Sequence, residues 1–227
     1  MNNERQRAAK IKQGLAQQVE ALRNQKNLTR EGRAARIAKD VEDARAKLAA
    51  LRQAEAQRLA DRQDELQRKL FGVKTTDHTR IMSIRQAGEM ASRITDPDEA
   101  QAAMNRAERS GDVDLLRALA EQCARQTGDI KRGREWQNLF DQWAGTQPGG
   151  TDAVEELREI HFEQTNSTRN LERQSAFSVG VLPEEIRGAG NLRTLAAQAD
   201  EIPELPPTRA EQVGARLAQF AGSDGGY

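Results

Sequence analysis

Few residues in this chain have the types and spacing to do chemistry. His78 and His161 are its only histidines and Cys123 its only cysteine. A histidine-assisted nucleophile needs a hydroxyl or thiol within hydrogen-bond reach of the imidazole and a third group to orient the ring. Neither histidine has a serine or cysteine motif beside it, and neither belongs to an H-E-x-x-H pair. A single cysteine builds neither an internal disulfide nor a cysteine-rich zinc site, and Cys123 is expected to serve as a small buried hydrophobe. Glu155, Glu156 and Glu159 have the spacing of an exposed helix face rather than of a metal site. Gly188-Ala189-Gly190 lacks the third glycine and the preceding strand of a dinucleotide loop, and no Walker-type lysine is present. The expectation is a protein with no catalytic residue, no metal site and no cofactor.

What remains is charge. The chain balances 35 Lys and Arg against 35 Asp and Glu. Residues 1–71 hold 17 basic and 10 acidic side chains, 72–150 hold 11 and 12, and 151–227 hold 7 and 13, giving net charges of +7, −1 and −6. A basic beginning and an acidic end suit three uses: solvated helix faces, contact with nucleic acid, or contact between the N-terminal part of one copy and the C-terminal third of another. Any nucleic-acid binding would be nonspecific and salt-sensitive, because no zinc finger, basic zipper or helix-turn-helix pattern accompanies the basic residues.

The elements that carry these charges are helical. The chain is 37% hydrophobic but only 4% aromatic, which suits elongated helices that each bury a narrow aliphatic stripe. The clearest is residues 29–70, where Ile37, Val41, Ala44, Leu48 and Leu51 follow alternating steps of four and three, the spacing that keeps a stripe facing a partner helix. Strict register would next place Glu55 and Arg58 in the seam; the leucines resume one residue late, at Leu59, Leu66 and Leu70. Thr29 is the expected N-cap. Residues 4–26, with Ile11, Leu15, Val19 and Leu22 on one side, predict a first helix folded antiparallel against the first half of the long one. On that arrangement the leucines beyond residue 53 either lack a partner within the chain, which predicts oligomerisation, or are covered by residues 73–150 folding back on them.

After a hinge at 72–76, four short helices are expected. Asp96-Pro97 and Asp112 start the second and third, Ser110-Gly111 stops the second, and Gly128-Asp129 resets the chain for the fourth. Trp136 and Trp143, seven residues apart, suit the hydrophobic plug of an alanine-rich domain better than a stacking platform for bases or an interface anchor. Gln147-Pro148-Gly149-Gly150 is the clearest linker. Beyond it lie a helix over 152–174, a short apolar piece at 177–182 that could be a strand or an extended arm, a turn at 183–188, a short helix at 191–200, an extended stretch at 202–207 and a last helix opened by Thr208. These pieces predict an arm ordered by docking on a partner.

The sequence thus predicts an all-α protein with a helical hairpin or coiled coil over 1–72, a four-helix domain over 73–147, and a helix plus docking arm over 148–227. The expected interface residues are Leu48, Leu51, Leu59, Leu66, Leu70, Phe177, Leu182, Leu217 and Phe220. No apolar run is long enough to span a membrane and the first residues lack a signal peptide's apolar region, so a soluble intracellular protein is expected. In layout and in the Arg, Ala, Gln and Glu usage of 1–70, the chain resembles tailed-phage head and neck proteins of the scaffolding, minor capsid or connector type. Unlike the usual scaffold, whose basic helices are C-terminal, this chain ends acidic, with Asp200, Glu201, Glu204 and Glu211. The resemblance implies a virion-associated structural or assembly protein, made in the cytoplasm, whose partners are copies of itself and other structural proteins. The alternative is a nucleic-acid-associated coiled-coil protein.

Overall fold

The computed structural model describes residues 3–202 and 205–206. Within them the protein is all-α, with nine helices and no strand. The helices are α1 (Asn3–Asn24), α2 (Arg30–Phe71), α3 (His78–Ser92), α4 (Pro97–Ser110), α5 (Val113–Gln126), α6 (Gly133–Thr146), α7 (Gly150–Thr165), α8 (Ser167–Ala176) and α9 (Leu192–Ala197); 3₁₀ turns occupy Glu184–Ile186 and Gln198–Asp200. The expected last helix, with Leu217 and Phe220, lies outside the described residues.

Local chemistry explains most helix ends. Thr29 Oγ1 accepts from Gly32 N at 2.9 Å and caps α2. Asp77, Asp96 and Asp112 cap α3, α4 and α5 through carboxylate oxygens that accept backbone N–H groups, and α4 stops at Gly111 in the left-handed region. Asp129 accepts from the amides of Lys131 and Arg132, and this turn delays the start of α6 to Gly133.

The chain forms two compact units, residues 57–169 and the described parts of 1–56 with 170–227. This division differs from the three consecutive segments read from the sequence, because α2 supplies residues to both units and the two ends of the chain share one of them.

In residues 57–169, α5 packs against α3, α4 and α6, and α6 also packs against α7. Alanines at the α4 contacts bring these helices close, and Leu119, Cys123, Trp136, Leu139, Phe140 and Trp143 fill the centre. Phe71 and Trp143 stack with centroids 5.5 Å apart and planes 5° from parallel, and Phe140 lies 6.2 Å from Trp143. Trp136 and Trp143 are therefore the plug, closed to any base. Cys123 is fully buried as expected, and desolvation pushes its thiol up to about 12.

Three expectations need correction here. Leu66 and Leu70 have partners within the chain: they are buried in this same core, with Leu59 packed against it. Residues 73–147 fold onto the end of α2 because the exposed stripe and the alanine-rich helices each need a cover. Gln147 to Gly150 is a tight corner and not a linker. Gly149 takes φ +64°, and a Cβ on Gly150 would lie 2.2 Å from the carbonyl oxygen of Ala144, so only glycine lets α7 start this close to the end of α6. Lys69 Nζ donates to the carbonyl of Gly149 at 3.2 Å and holds the corner to α2. Finally, the helix read over 152–174 breaks at Asn166, whose side chain accepts from Arg169 N at the start of α8.

In the other unit α1 runs antiparallel to the first half of α2, as the sequence predicts. Leu22, Val19 and Leu15 share a cluster with Ile37, Ala38, Val41 and Ala44, while Ala8 meets Leu48 and Arg5 meets Glu55.

Candidate interaction surface

The stripe of α2 carries most of the residues expected to meet a partner. At unit level it is already covered. Leu48 is 1% exposed, clustered with Ala8 and Phe177, and Leu51 packs on the edge of that cluster. Leu182 packs against the hairpin cluster beside Ile186. The candidate interface leucines of α2 and both described apolar residues of the arm are thus engaged within the chain.

Glu55 is the residue that the sequence reading passed over. It is completely buried, its Oε1 accepting from Arg5 Nε at 2.9 Å while Arg173 Nε forms an ion pair with Oε2 at 3.1 Å. A carboxylate removed from water needs such partners, and two arginines from α1 and α8 supply them. The signal was in the spacing. Leu48, Leu59 and Leu70 are eleven residues apart, and so are Ala44, Glu55 and Leu66, so Glu55 occupies an apolar slot of one continuous three-turn repeat. The strict register had pointed to it.

The arm folds back on its own hairpin. Phe177 closes over Ala8 and Leu48; Ile186, 0% exposed, sits among Leu15, Val19, Leu22, Ile37 and Val41; Leu192, Leu195 and Ala196 pack at the rim. Gly32 leaves room for Ile202, whose Cγ2 would lie 3.2 Å from a Cβ at that position. Leu205 N donates to the carbonyl of Asn27 at 2.7 Å. Ionic contacts finish the seam. Arg23 grips Glu185 with two bonds of 2.7 and 3.1 Å, Lys39 Nζ reaches Asp200 at 2.7 Å, and Arg193 lies 3.5 Å from Glu42. The bond to Arg23 holds the Glu185 carboxyl below the usual glutamate range, and the bond to Asp200 raises Lys39. The complementarity of basic beginning and acidic end is realised here inside one chain. Piece 177–182 is not a strand but an irregular crossing.

Two shallow grooves border the arm. One, of about 600 Å³, is lined by Glu42, Arg45 and Ala49 on α2 and by Leu182, Asn191 and Arg193 on the arm. The other, of about 410 Å³, lies among Leu22, Arg36, Lys39, Asp40, Asp200 and Ile202. Desolvation raises the Asp40 carboxyl in the second.

The second unit has ionic fasteners of its own. Arg62 binds Glu156 with two bonds of 2.7 Å, which lowers the Glu156 pKa, and Arg132 bridges Asp96 at 2.6 Å, Asp98 at 2.8 Å, and Glu135. Its outer surface keeps apolar side chains in water: Ile81, Met82 and Met90 on α3 and Val113 at the start of α5, where Met82 is 59% and Val113 57% exposed. Arg80 and Asp114 approach to 3.9 Å beside them. His78 and His161 are exposed on α3 and α7. Among the described residues no three His, Cys, Asp or Glu side chains are grouped to hold a metal, and no helix is long and apolar enough to cross a membrane.

Comparison of the chain with protein-family models, with curated proteins and with solved structures finds no match.

Proposed function

We propose that this chain is a non-catalytic structural component of a protein assembly, working as a homo-oligomer among other structural proteins, and that its setting is the head or neck of a tailed phage. The observation that carries the reading is the use made of the charged side chains. Glu55 with Arg5 and Arg173, Arg62 with Glu156, Arg132 with Asp96 and Asp98, and Arg23 with Glu185 each fasten one element to another. Side chains used in this way serve shape, which is what a building part needs. With Leu48, Leu66 and Leu70 buried, the exposed apolar side chains available for contact with other assembly proteins include Ile81, Met82, Met90 and Val113. The virion setting is supported by the architectural resemblance of the sequence to head and neck proteins.

Light scattering of the full-length protein tests the oligomer. The expected mass is a multiple of 25.2 kDa; a mass of one chain at every concentration overturns it. Mass spectrometry of purified particles tests the setting, and absence of the chain from them overturns that part.

The excess of +7 over residues 1–71 favours nucleic acid as a second reading. Pairing of Arg23, Lys39 and Arg62 with Glu185, Asp200 and Glu156 opposes it. Duplex binding by the full chain that persists at physiological salt would put this reading first.

A further inference from the structure

We propose that residues 184–202 are an exchangeable strap: the surface that they cover on their own α1–α2 hairpin is the surface on which a second copy's strap docks, so that two copies join by trading straps. The proposal rests on the assembly reading above. Its ground is how the strap is held.

Only Ile186 and Ala199 of this segment are buried; the rest lies at a rim, in a 3₁₀ turn, six residues of helix and a second 3₁₀ turn. Segments so short do not stand alone, so the strap takes its order from the hairpin. Each of its ionic contacts has at least one exposed partner, where water and salt compete: the side chains of Arg23, Lys39, Asp200 and Arg193 are 41%, 46%, 79% and 89% exposed, while Glu185 and Glu42 are mostly covered. The grooves of about 600 and 410 Å³ lie beside residues 189–193 and 199–202, where packing against α2 is incomplete. The strap is thus a cover with buried points at Ile186 and Ala199 and a largely hydrated perimeter.

The occupant is fixed by complementarity. Whatever replaces the strap must bring an apolar plug for the Ile186 site, a carboxylate for Arg23, a carboxylate for Lys39 and a cation for Glu42, in that geometry. A second copy brings all four, because the identical residues already satisfy them. The hinge is also present. Gly180 takes φ +78° and Val181 is 84% exposed between Phe177, which stays anchored on Ala8 and Leu48, and Pro183. Redirecting the chain there carries Leu182 with the strap and keeps Phe177 in place.

The test mixes two full-length variants in a Cys123→Ala background. One carries Asn24→Cys on the hairpin and the other Glu184→Cys on the strap, each flanking the Arg23–Glu185 pair; a short bismaleimide then joins them only when the strap of one copy lies on the hairpin of the other. A single chain carrying both cysteines reports the arrangement within one copy, and circular dichroism confirms that each variant is folded. The expected result is a mixed cross-linked dimer whose fraction rises roughly tenfold for a tenfold rise in concentration while it is the minor species. If light scattering shows an oligomer but cross-links form only within single chains, strap exchange is overturned and the assembly reading stands. If the protein is a monomer and cross-links form only within chains, both fall.

Discussion

Residues 57–169 close their core with Phe71, Trp136, Phe140 and Trp143, whereas the described part of the other unit holds one aromatic side chain, Phe177. The aromatic unit is continuous in sequence and uses capped helices and alanine contacts. The aliphatic unit joins the two ends of the chain, and it adds a buried carboxylate with two arginines and a strap with an ionic perimeter. A large ring brings its own buried area and stacking preference, so a few of them specify a core. Leucine, valine and alanine stripes fit many registers, whereas a buried Glu55 is stabilised only where Arg5 and Arg173 reach it. We hypothesise that the aromatic unit is specified by packing and the aliphatic one by ionic register.

The largest effect should come from the aromatic unit. Leu66→Asp places a charge among Trp143, Phe140 and Leu139 and should destabilise by about 4 kcal/mol or more, enough to unfold a marginal protein. Chemical denaturation with hydrogen exchange checks it. A variant of wild-type stability would mean that Leu66 faces water and that the core described here is wrong.

Glu55 tests the other side of the contrast. Glu55→Ala leaves two arginines facing an emptied site and should destabilise by about 3–5 kcal/mol, while Glu55→Leu, removing charge but keeping volume, should lose less. If register selection is the role, Glu55→Leu with Arg5→Leu and Arg173→Leu should be near neutral in stability yet show broadened amide resonances in α1. Sharp, wild-type-like spectra from that triple variant would refute the selection role.

How much of this was legible in the sequence differs between the units for a physical reason. Caps act within four residues, so Thr29, Asp96 and Asp112 announced their helices, and the stripe Ile37, Val41, Ala44, Leu48 announced the hairpin. Which surface covers a stripe is a long-range fact. Nothing near Leu66 names Trp143, and nothing near Ile186 names Val19. A pair of glycines such as Gly149-Gly150 allows both a loose linker and a close corner, and only the carbonyl of Ala144 decides between them. Glu55 is legible through the eleven-residue spacing by its position, although its type is not that of a seam residue.

Two smaller effects sharpen the contrast further. Ile186→Ala should destabilise by about 2–4 kcal/mol and expose 184–202 to protease before any cut falls in α5 or α6. Simultaneous loss of protection in both regions would show that the strap belongs to a single cooperative block. The smallest effect is set by pH. Because the folded Glu185 carboxyl is held below its ordinary range by Arg23, its contribution is fully present above the usual glutamate pKa and is lost as pH falls through the lowered value. Amide protection at Ile186 and Arg187, corrected for intrinsic exchange, should decline below about pH 4.5, and Glu185→Gln should abolish that decline. A decline unchanged in the variant would assign it to other carboxylates.

The joining of both chain ends in one unit has a consequence for synthesis. The hairpin is made before its cover, and 113 residues, 57–169, must follow before the segment that covers it begins to emerge. At about 5–20 residues per second the interval is on the order of ten seconds. Through that time the site of Ile186 on the nascent hairpin lacks its own cover.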